Sequence, residues 1–250
     1  MQMATMSSRE IAERVQSGWK TAILVAGSIE QHGPHLPCNS DAIYGAEMGQ
    51  RLATALGHAL VAPVVTPGCS DHHIDFAGTF TIPPELLVAL VEARLRDLGR
   101  MGFEEVVLTS SHGGNFRPLQ AAIPRLSDVA RANGMRLVPV LVLENFIAAL
   151  VEAPLAQGLD QTLPAVQADL VETSIMLRLR PDQVRMDLAE PGGLVAFTLD
   201  DVLANGLAGV THNGVLGDPR AATSELGEAI LGSLQEYLVS GVQTWRQAHD

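Results

Sequence analysis

The sequence predicts an α/β protein of three layers, with a central, mainly parallel sheet flanked by helices. Short apolar runs at 21–26, 59–65, 105–109 and 136–143 are strand candidates, and helical patterns at 40–56, 84–101 and 116–133 alternate with them. Strands that alternate with helices pair in parallel through right-handed crossovers. The runs are apolar nearly throughout rather than at every second residue, as expected when both sheet faces are covered.

Each element has its own signal. Ser7 with Glu10 fits a capping box that opens a short first helix. Leu86, Leu87, Leu90, Val91, Leu95 and Leu98 recur at helical spacing with charges between them. Gly102 and Gly134 stand where helices should stop. The stretch 144–166 breaks the alternation: it is partly helical, punctuated by Pro154, Gly158 and Pro164, and reads as a lid or an oligomer arm. A helix from about 166 to 178 follows, then a Gly-rich irregular stretch over 190–218. The last helix, 221–245, is amphipathic through Leu226, Ile230, Leu234 and Leu238. No repeat, low-complexity segment or linker divides the chain, so 1–250 reads as one domain.

Bulk composition narrows the function. With 250 residues and 47% hydrophobic content, the chain can bury a full core. A net charge of −12 argues against nucleic acid or an anionic membrane as partner, since both demand a cationic surface. Bound cations would offset part of that charge. Cys38 and Cys69 cannot build a disulfide framework, which points to a reducing compartment, the cytoplasm. No apolar run approaches the ~20 residues of a spanning helix, and the first residues lack the apolar core of a secretory signal.

The densest chemistry lies between Ser28 and Asp41, Ser-Ile-Glu-Gln-His-Gly-Pro-His-Leu-Pro-Cys-Asn-Ser-Asp, directly after the apolar run Ala22–Ala26. Glu30, His32, His35 and Asp41 fall within a dozen residues. Carboxylates and imidazoles together suit a divalent metal. A loop at the end of a buried strand is where an α/β protein places such a site. Glu30 and His32 are two apart, so in an extended segment both face one pocket. Asp41 follows Pro34 and Pro37, which stiffen the turn, and opens the next helix. A carboxylate stays ionised there and is free to bridge two metals. Alone, Asp41 would read as an N-cap; the company of Glu30 and His32 reverses that.

Three further clusters stand out. Thr109-Ser110-Ser111-His112-Gly113-Gly114-Asn115 follows the strand 105–109 and should emerge at the same sheet edge. His112 is a candidate ligand. Gly113 and Gly114 permit close backbone approach to a ligand, and their amides suit an oxyanion. Without the other clusters this would be an ordinary strand-to-helix turn with Asn115 as N-cap. In Gln167-Ala168-Asp169-Leu170-Val171-Glu172-Thr173-Ser174, Glu172 is flanked by apolar residues, and burying it is costly unless it is paired or bound to metal. Asp169 suits a solvated helix face. Cys69-Ser70-Asp71-His72-His73 could supply substrate contacts or a proton carrier, Ser70 and His73 being the candidates. Adjacent histidines diverge, so His72 is left unassigned. His58, His212 and His249 have no supporting pattern. Cys38 reads as a small packing residue rather than a nucleophile.

Together these residues resemble the creatininase family of creatinine amidohydrolases. The resemblance rests on Gly27-Ser28-Ile29-Glu30-Gln31-His32-Gly33-Pro34-His35-Leu36-Pro37 through Asp41, Gly68 to His73, Ser111-His112-Gly113-Gly114-Asn115 and Glu172-Thr173-Ser174. It implies an α/β fold with a central, mainly parallel sheet, two divalent metals (zinc, manganese or iron) and a homohexamer. Carried over by motif, Glu30 and His112 would hold one metal, His32 and Glu172 the other, and Asp41 would bridge them. Metals lower the pKa of bound water towards ~7 and polarise the carbonyl to be attacked. The implied reaction is hydrolysis of a C–N bond in an amide or cyclic amide of a small molecule through a bridging hydroxide. Glu172, Asp41, His73 and Gln167 would be the catalytic side chains. Ser70, His73, Gly113, Gly114, Asn115 and Gln167 would face the substrate.

The chain departs from the creatinine-hydrolysing members at three places. They carry a His where this chain has Gln167, five residues before Glu172, and an amide is no general base at neutral pH. They carry a Tyr-Glu pair where this chain has Gly113-Gly114, and the stretch 144–166 has no Trp. The Gly-Gly form is more similar to the branches of formamide hydrolases, of the peptidase of mycofactocin maturation and of a ring-ketone hydrolase of inositol breakdown. Other readings are a metal-stabilised oligomeric protein without catalysis, and a thiol hydrolase that Cys38→Ala would kill.

Overall fold

The structure, a computed structural model, describes residues 1–159, 166–193, 201–202 and 205–249. Helix α1, Ser8–Gln16, opens on the expected capping box: the Glu10 amide donates to the Ser7 hydroxyl, and the Ser7 amide donates to the Glu10 carboxylate at 2.7 Å.

The sheet has four strands: β1 Thr21–Ala26, β2 Ala59–Val61, β3 Glu105–Ser110 and β4 Arg136–Pro139. Their order is β2-β1-β3-β4 and every pair is parallel. β1 and β3 stay in register from Thr21↔Glu105 to Ala26↔Ser110, so the chain leaves both strands at one level. From β1 the chain steps outward to β2, then crosses back to β3. This reversal makes the C-terminal edge between β1 and β3 the switch point, where open α/β sheets form their clefts.

Helix α2, Ser40–Leu56, joins β1 to β2, and α3, Pro84–Met101, joins β2 to β3. Crossovers of one hand in opposite directions place α2 and α3 on opposite faces. α3 packs with α4, Gly113–Ala121, and α5, Ile123–Ala132. α2 packs with α8, Ser224–His249, which also covers α6, Leu143–Ala156, and α7, Leu170–Leu179. Between the layers, Ile23, Leu24, Val106, Val107 and Leu108 have no exposed surface.

Three expected elements changed length for local reasons. The helix expected over 116–133 is two, because Pro124 lacks an N–H and its ring crowds the carbonyl four residues back; the chain breaks at Ala122. The strand expected over 136–143 ends at Pro139, although the Val140 amide still donates to Leu108 O at 2.9 Å. The strand expected over 59–65 pairs only through Val61, with Val65 rejoining β1 by one bridge to Ala26. Gly102, left-handed at φ 91°, closes α3 where expected. Within 144–166 the structure describes α6 and the residues to 159, while 160–165 lie outside the described residues. No helix among the described residues is long and apolar enough to cross a membrane.

Candidate metal centre

The loop after β1 folds back on itself, the Glu30 amide donating to Cys38 O at 2.9 Å. It delivers Glu30 and His32 into the interior, 1% and 0% exposed. Asp41 sits in the first turn of α2, two residues inside the N-cap position held by Asn39. His112 follows β3 directly. Two bonds lock these loops together: the Ser111 amide donates to Ala26 O at 3.0 Å and the Ser111 hydroxyl to Asp41 O at 2.7 Å. The buried Tyr44 hydroxyl also donates to Ser111 O.

The side chains converge. Ligand atoms of Glu30, His32 and Asp41 lie within 4.8 Å of one another. His32 Nε2 stands 3.4 Å from Asp41 Oδ1 and 3.7 Å from Glu172 Oε2. His112 Nδ1 stands 3.2 Å from Asp41 Oδ2 and 3.3 Å from Glu30 Oε2. Asp41 is therefore the middle of the cluster, with an imidazole on either side.

The hydrogen bonds assign the ring tautomers, because a carbonyl can only accept. His32 Nδ1 donates to Glu30 O at 3.0 Å and leaves Nε2 for a ligand. His112 Nε2 donates to Cys69 O at 3.0 Å and leaves Nδ1. His73 is oriented through Gln31, whose amide nitrogen reaches both Gly214 O at 3.1 Å and His73 Nδ1 at 3.0 Å. Gln31 Oε1 accepts from the Gly33 amide, which sets the direction of that amide. His73 then carries its proton on Nε2, which stands 3.2 Å from Glu30 Oε1. Glu30 Oε2 is left over.

The charges follow from burial and proximity. Burial alone would raise Glu30, but His112 and His73 outweigh it and hold the carboxyl well below its ordinary value. Burial would lower His32, but Glu172 and Asp41 raise it to about 10. His112 rises the same way, burial being overcome by Glu30 and Asp41. Burial, aided by Asp41 and Asp169, raises Glu172 to about 8 against the pull of His32. His73 is lowered to about 3, chiefly by burial, and stays neutral. The carboxylates thus favour positive charge at both rings, which a bound divalent cation would supply.

The donor set fits a divalent ion. Glu30 Oε2, His32 Nε2 and Asp41 Oδ2 are buried without a hydrogen-bond partner. Such atoms are costly to bury unless something coordinates them. Carboxylate oxygen with imidazole nitrogen suits zinc, manganese or iron.

A cavity of about 150 Å³ opens onto this cluster. Glu30, Asp41, His112 and Glu172 line one end, with His73, Gln167, Gly113 and Gly114 beside them. The remaining wall is largely aliphatic, from Leu143, Ile147 and Leu150 of α6 and from Leu207 and Leu216. Gln167 Nε2 donates to Gln31 O at 2.9 Å, and its Oε1 remains an acceptor.

Several expectations are corrected by this placement. Ser70 and Asn115, expected at the substrate, stand behind the wall. Ser70 Oγ pairs with Ser28 Oγ at 2.6 Å and lies 3.3 Å from His112 Nε2. Asn115 is not an N-cap either: it lies inside α4, receives the Cys69 amide at 2.9 Å and donates to Gly27 O at 3.0 Å, clamping three loops. Gly114 lines the cavity but is also required by the protein's own packing, since a Cβ there would stand 2.1 Å from Cys69 O. Asp169 is not on a solvated face: it is the buried N-cap of α7, accepting from the Val171 and Glu172 amides. Ala168, left-handed at φ 51°, aims its amide at Glu172 Oε2, 2.6 Å away.

Other side chains carry parts the motifs did not announce. His35, named but unassigned, ties the first loop to α7 through Thr173 Oγ1 at 2.8 Å. His72 lines the cavity with its ring stacked on His112 at 5.7 Å. Gln31, Tyr44 and Arg117 were missed. Gln31 lies between two ligand candidates, yet its partner Gly214 is 183 residues away.

The likeness to known proteins agrees with this geometry. In class, the chain is a metal-dependent hydrolase. It belongs to the creatininase family, whose model, described as creatinine amidohydrolase, matches residues 4–242. It is 31% identical to the mycofactocin precursor peptide peptidase of Mycolicibacterium smegmatis, over 98% of this chain and 91% of that protein. It is 28% identical to the creatinine amidohydrolase of Pseudomonas putida, over 94% of this chain and 91% of that protein. A solved mutant creatininase of Zn–Zn type superimposes with a TM-score of 0.78 at 25% identity, covering 97% of each chain.

Proposed function

We propose that the chain hydrolyses an amide or peptide C–N bond of a small metabolite at a centre of two divalent ions, with zinc first and manganese or iron as alternatives. Glu30 and His112 would hold one ion, His32 and Glu172 the other, and Asp41 would bridge them. The observation that carries this reading is that Glu30 Oε2, His32 Nε2 and Asp41 Oδ2 are buried without a hydrogen-bond partner, on three residues whose ligand atoms lie within 4.8 Å of one another. Bound divalent ions supply Lewis acidity and acidify coordinated water to a pKa near ~7.

The chain's own residues divide the remaining tasks. A hydrogen bond from the Ala168 amide fixes the Glu172 carboxylate, and the His73 ring stands 3.2 Å from that of Glu30. Gln167, held by Gln31 O, accepts a hydrogen bond from the substrate but takes no proton. Proton transfer then falls to a carboxylate at the centre, Glu172 or Asp41. The aliphatic wall from α6 excludes water from the substrate. The Gly113-Gly114 turn and the peptidase relative favour a linear amide over creatinine. In the same reading the chain is a single domain that works as a cytoplasmic homohexamer.

A panel of formamides, lactams and short peptides, assayed with and without chelator, tests the proposal. The expected result is turnover in one amide class that chelation abolishes and zinc or manganese restores. Turnover that survives complete metal removal, or that requires Cys38, would overturn it.

A further inference from the structure

Within the reading above, one cation remains without a role. The chain carries −12 net charge, so carboxylates are plentiful, and its lysine and arginines are taken up by them almost throughout. Two exceptions have other partners: Arg14 lies 4.5 Å over the Trp19 ring, and Arg180 donates to Leu179 O at 2.7 Å. Among the described residues, only Arg117 has neither an ion pair, a ring nor a carbonyl. It is also the cation that lines the cavity.

Its place in the fold gives that isolation a use. Arg117 lies four residues after Gly113 on α4, so the two share a helix face, and both line the cavity. Leu143, Ile147 and Leu150 supply an apolar wall to the same cavity. A ligand in this space is offered three kinds of wall: the clustered carboxylates with His112, hydrocarbon from α6, and the Arg117 guanidinium. A guanidinium presents paired donors matched to a carboxylate.

We propose that Arg117 reads a carboxylate on the substrate, which makes the substrate class an amide with an apolar body and a free acid group, such as an N-acyl amino acid or a peptide C-terminus. The carboxylate is bound away from the scissile bond, and Arg117 decides which amides bind rather than how fast they react. It is a specificity residue and touches no reacting atom.

The test is calorimetric titration of the zinc-loaded protein with N-acetylleucine and N-acetylleucinamide, which differ only in the charge. The expected result is that the acid binds about ten- to hundredfold more tightly, the range of one charge-assisted pair. Arg117→Gln should bring the ratio to about one, with metal content and the affinity for the neutral amide unchanged. Arg117→Lys should keep part of the preference. Arg117 is exposed and unpaired, so folding is not at stake. A wild-type ratio of one, absence of binding by both compounds, or a preference that survives Arg117→Gln overturns the proposal; the last places the carboxylate on the metals. Turnover is read separately. A binding preference without hydrolysis of any amide would sink the proposed reaction and leave Arg117 standing, and hydrolysis without the preference would do the reverse.

Discussion

The two ends of the cavity are built differently. At the metal end, the loops after β1 and β3 and the first turn of α2 deliver Glu30, His32, Asp41 and His112, all buried. There a hydrogen bond to a backbone carbonyl fixes the rings of His32 and His112, and His73 stands 3.2 Å from Glu30. At the other end, α6 and the segment around 207–216 supply aliphatic side chains with no hydrogen bonds to hold them. The difference follows from the tasks. Coordination fails when donors move by a fraction of an ångström, so it needs directional bonds. Recognition of a hydrocarbon body needs volume and dryness, which packing alone provides.

If this contrast is right, variants at the two ends should fail in different ways. The largest effect is expected at Asp41, which serves both sides of the cluster. Asp41→Asn should lose bound metal by elemental analysis and lower turnover by about a thousandfold, equivalent to several kcal/mol of lost charge stabilisation. Full activity in a metal-depleted Asp41→Asn would break the comparison at its strongest point.

A smaller loss should follow one bond further out. Gln31→Leu releases His73 and, through it, Glu30, so metal affinity should fall about ten- to hundredfold by competition with a chelator. Gly214→Ala should reproduce this, because a Cβ there would meet Gln31 Oε1 at 1.9 Å. An unchanged affinity in both variants would show that His73 needs no support.

The smallest effect belongs to the wall. Ile147→Ala should leave metal content and affinity untouched. It should shift the relative kcat/KM of amides differing by a methylene by about tenfold, the usual scale for a hydrophobic pocket. A loss of metal in that variant would erase the division between the two ends.

Much of this was legible beforehand because it is local. Capping, periodicity and a glycine stop delimit α1 and α3 from neighbouring residues alone. The ligand candidates were legible because two loops leaving parallel strands must emerge at one edge. Ser70 and Asn115 were misplaced for the opposite reason. Their motifs named the right loops, but which way a short polar side chain turns depends on what stands behind it, here Ser28, Gly27 and Cys69.

By itself, the amino-acid pattern determined the layered α/β build, the cluster at the sheet edge and the kind of ion it suits. Those follow from hydrophobic period and from the chemistry of carboxylate and imidazole. Only the tertiary structure decided the tautomers, the clamp from Gln31 to Gly214, the shape of the dry wall and the isolation of Arg117. Each depends on atoms far apart along the chain, and no local rule of propensity or spacing carries the distance between them.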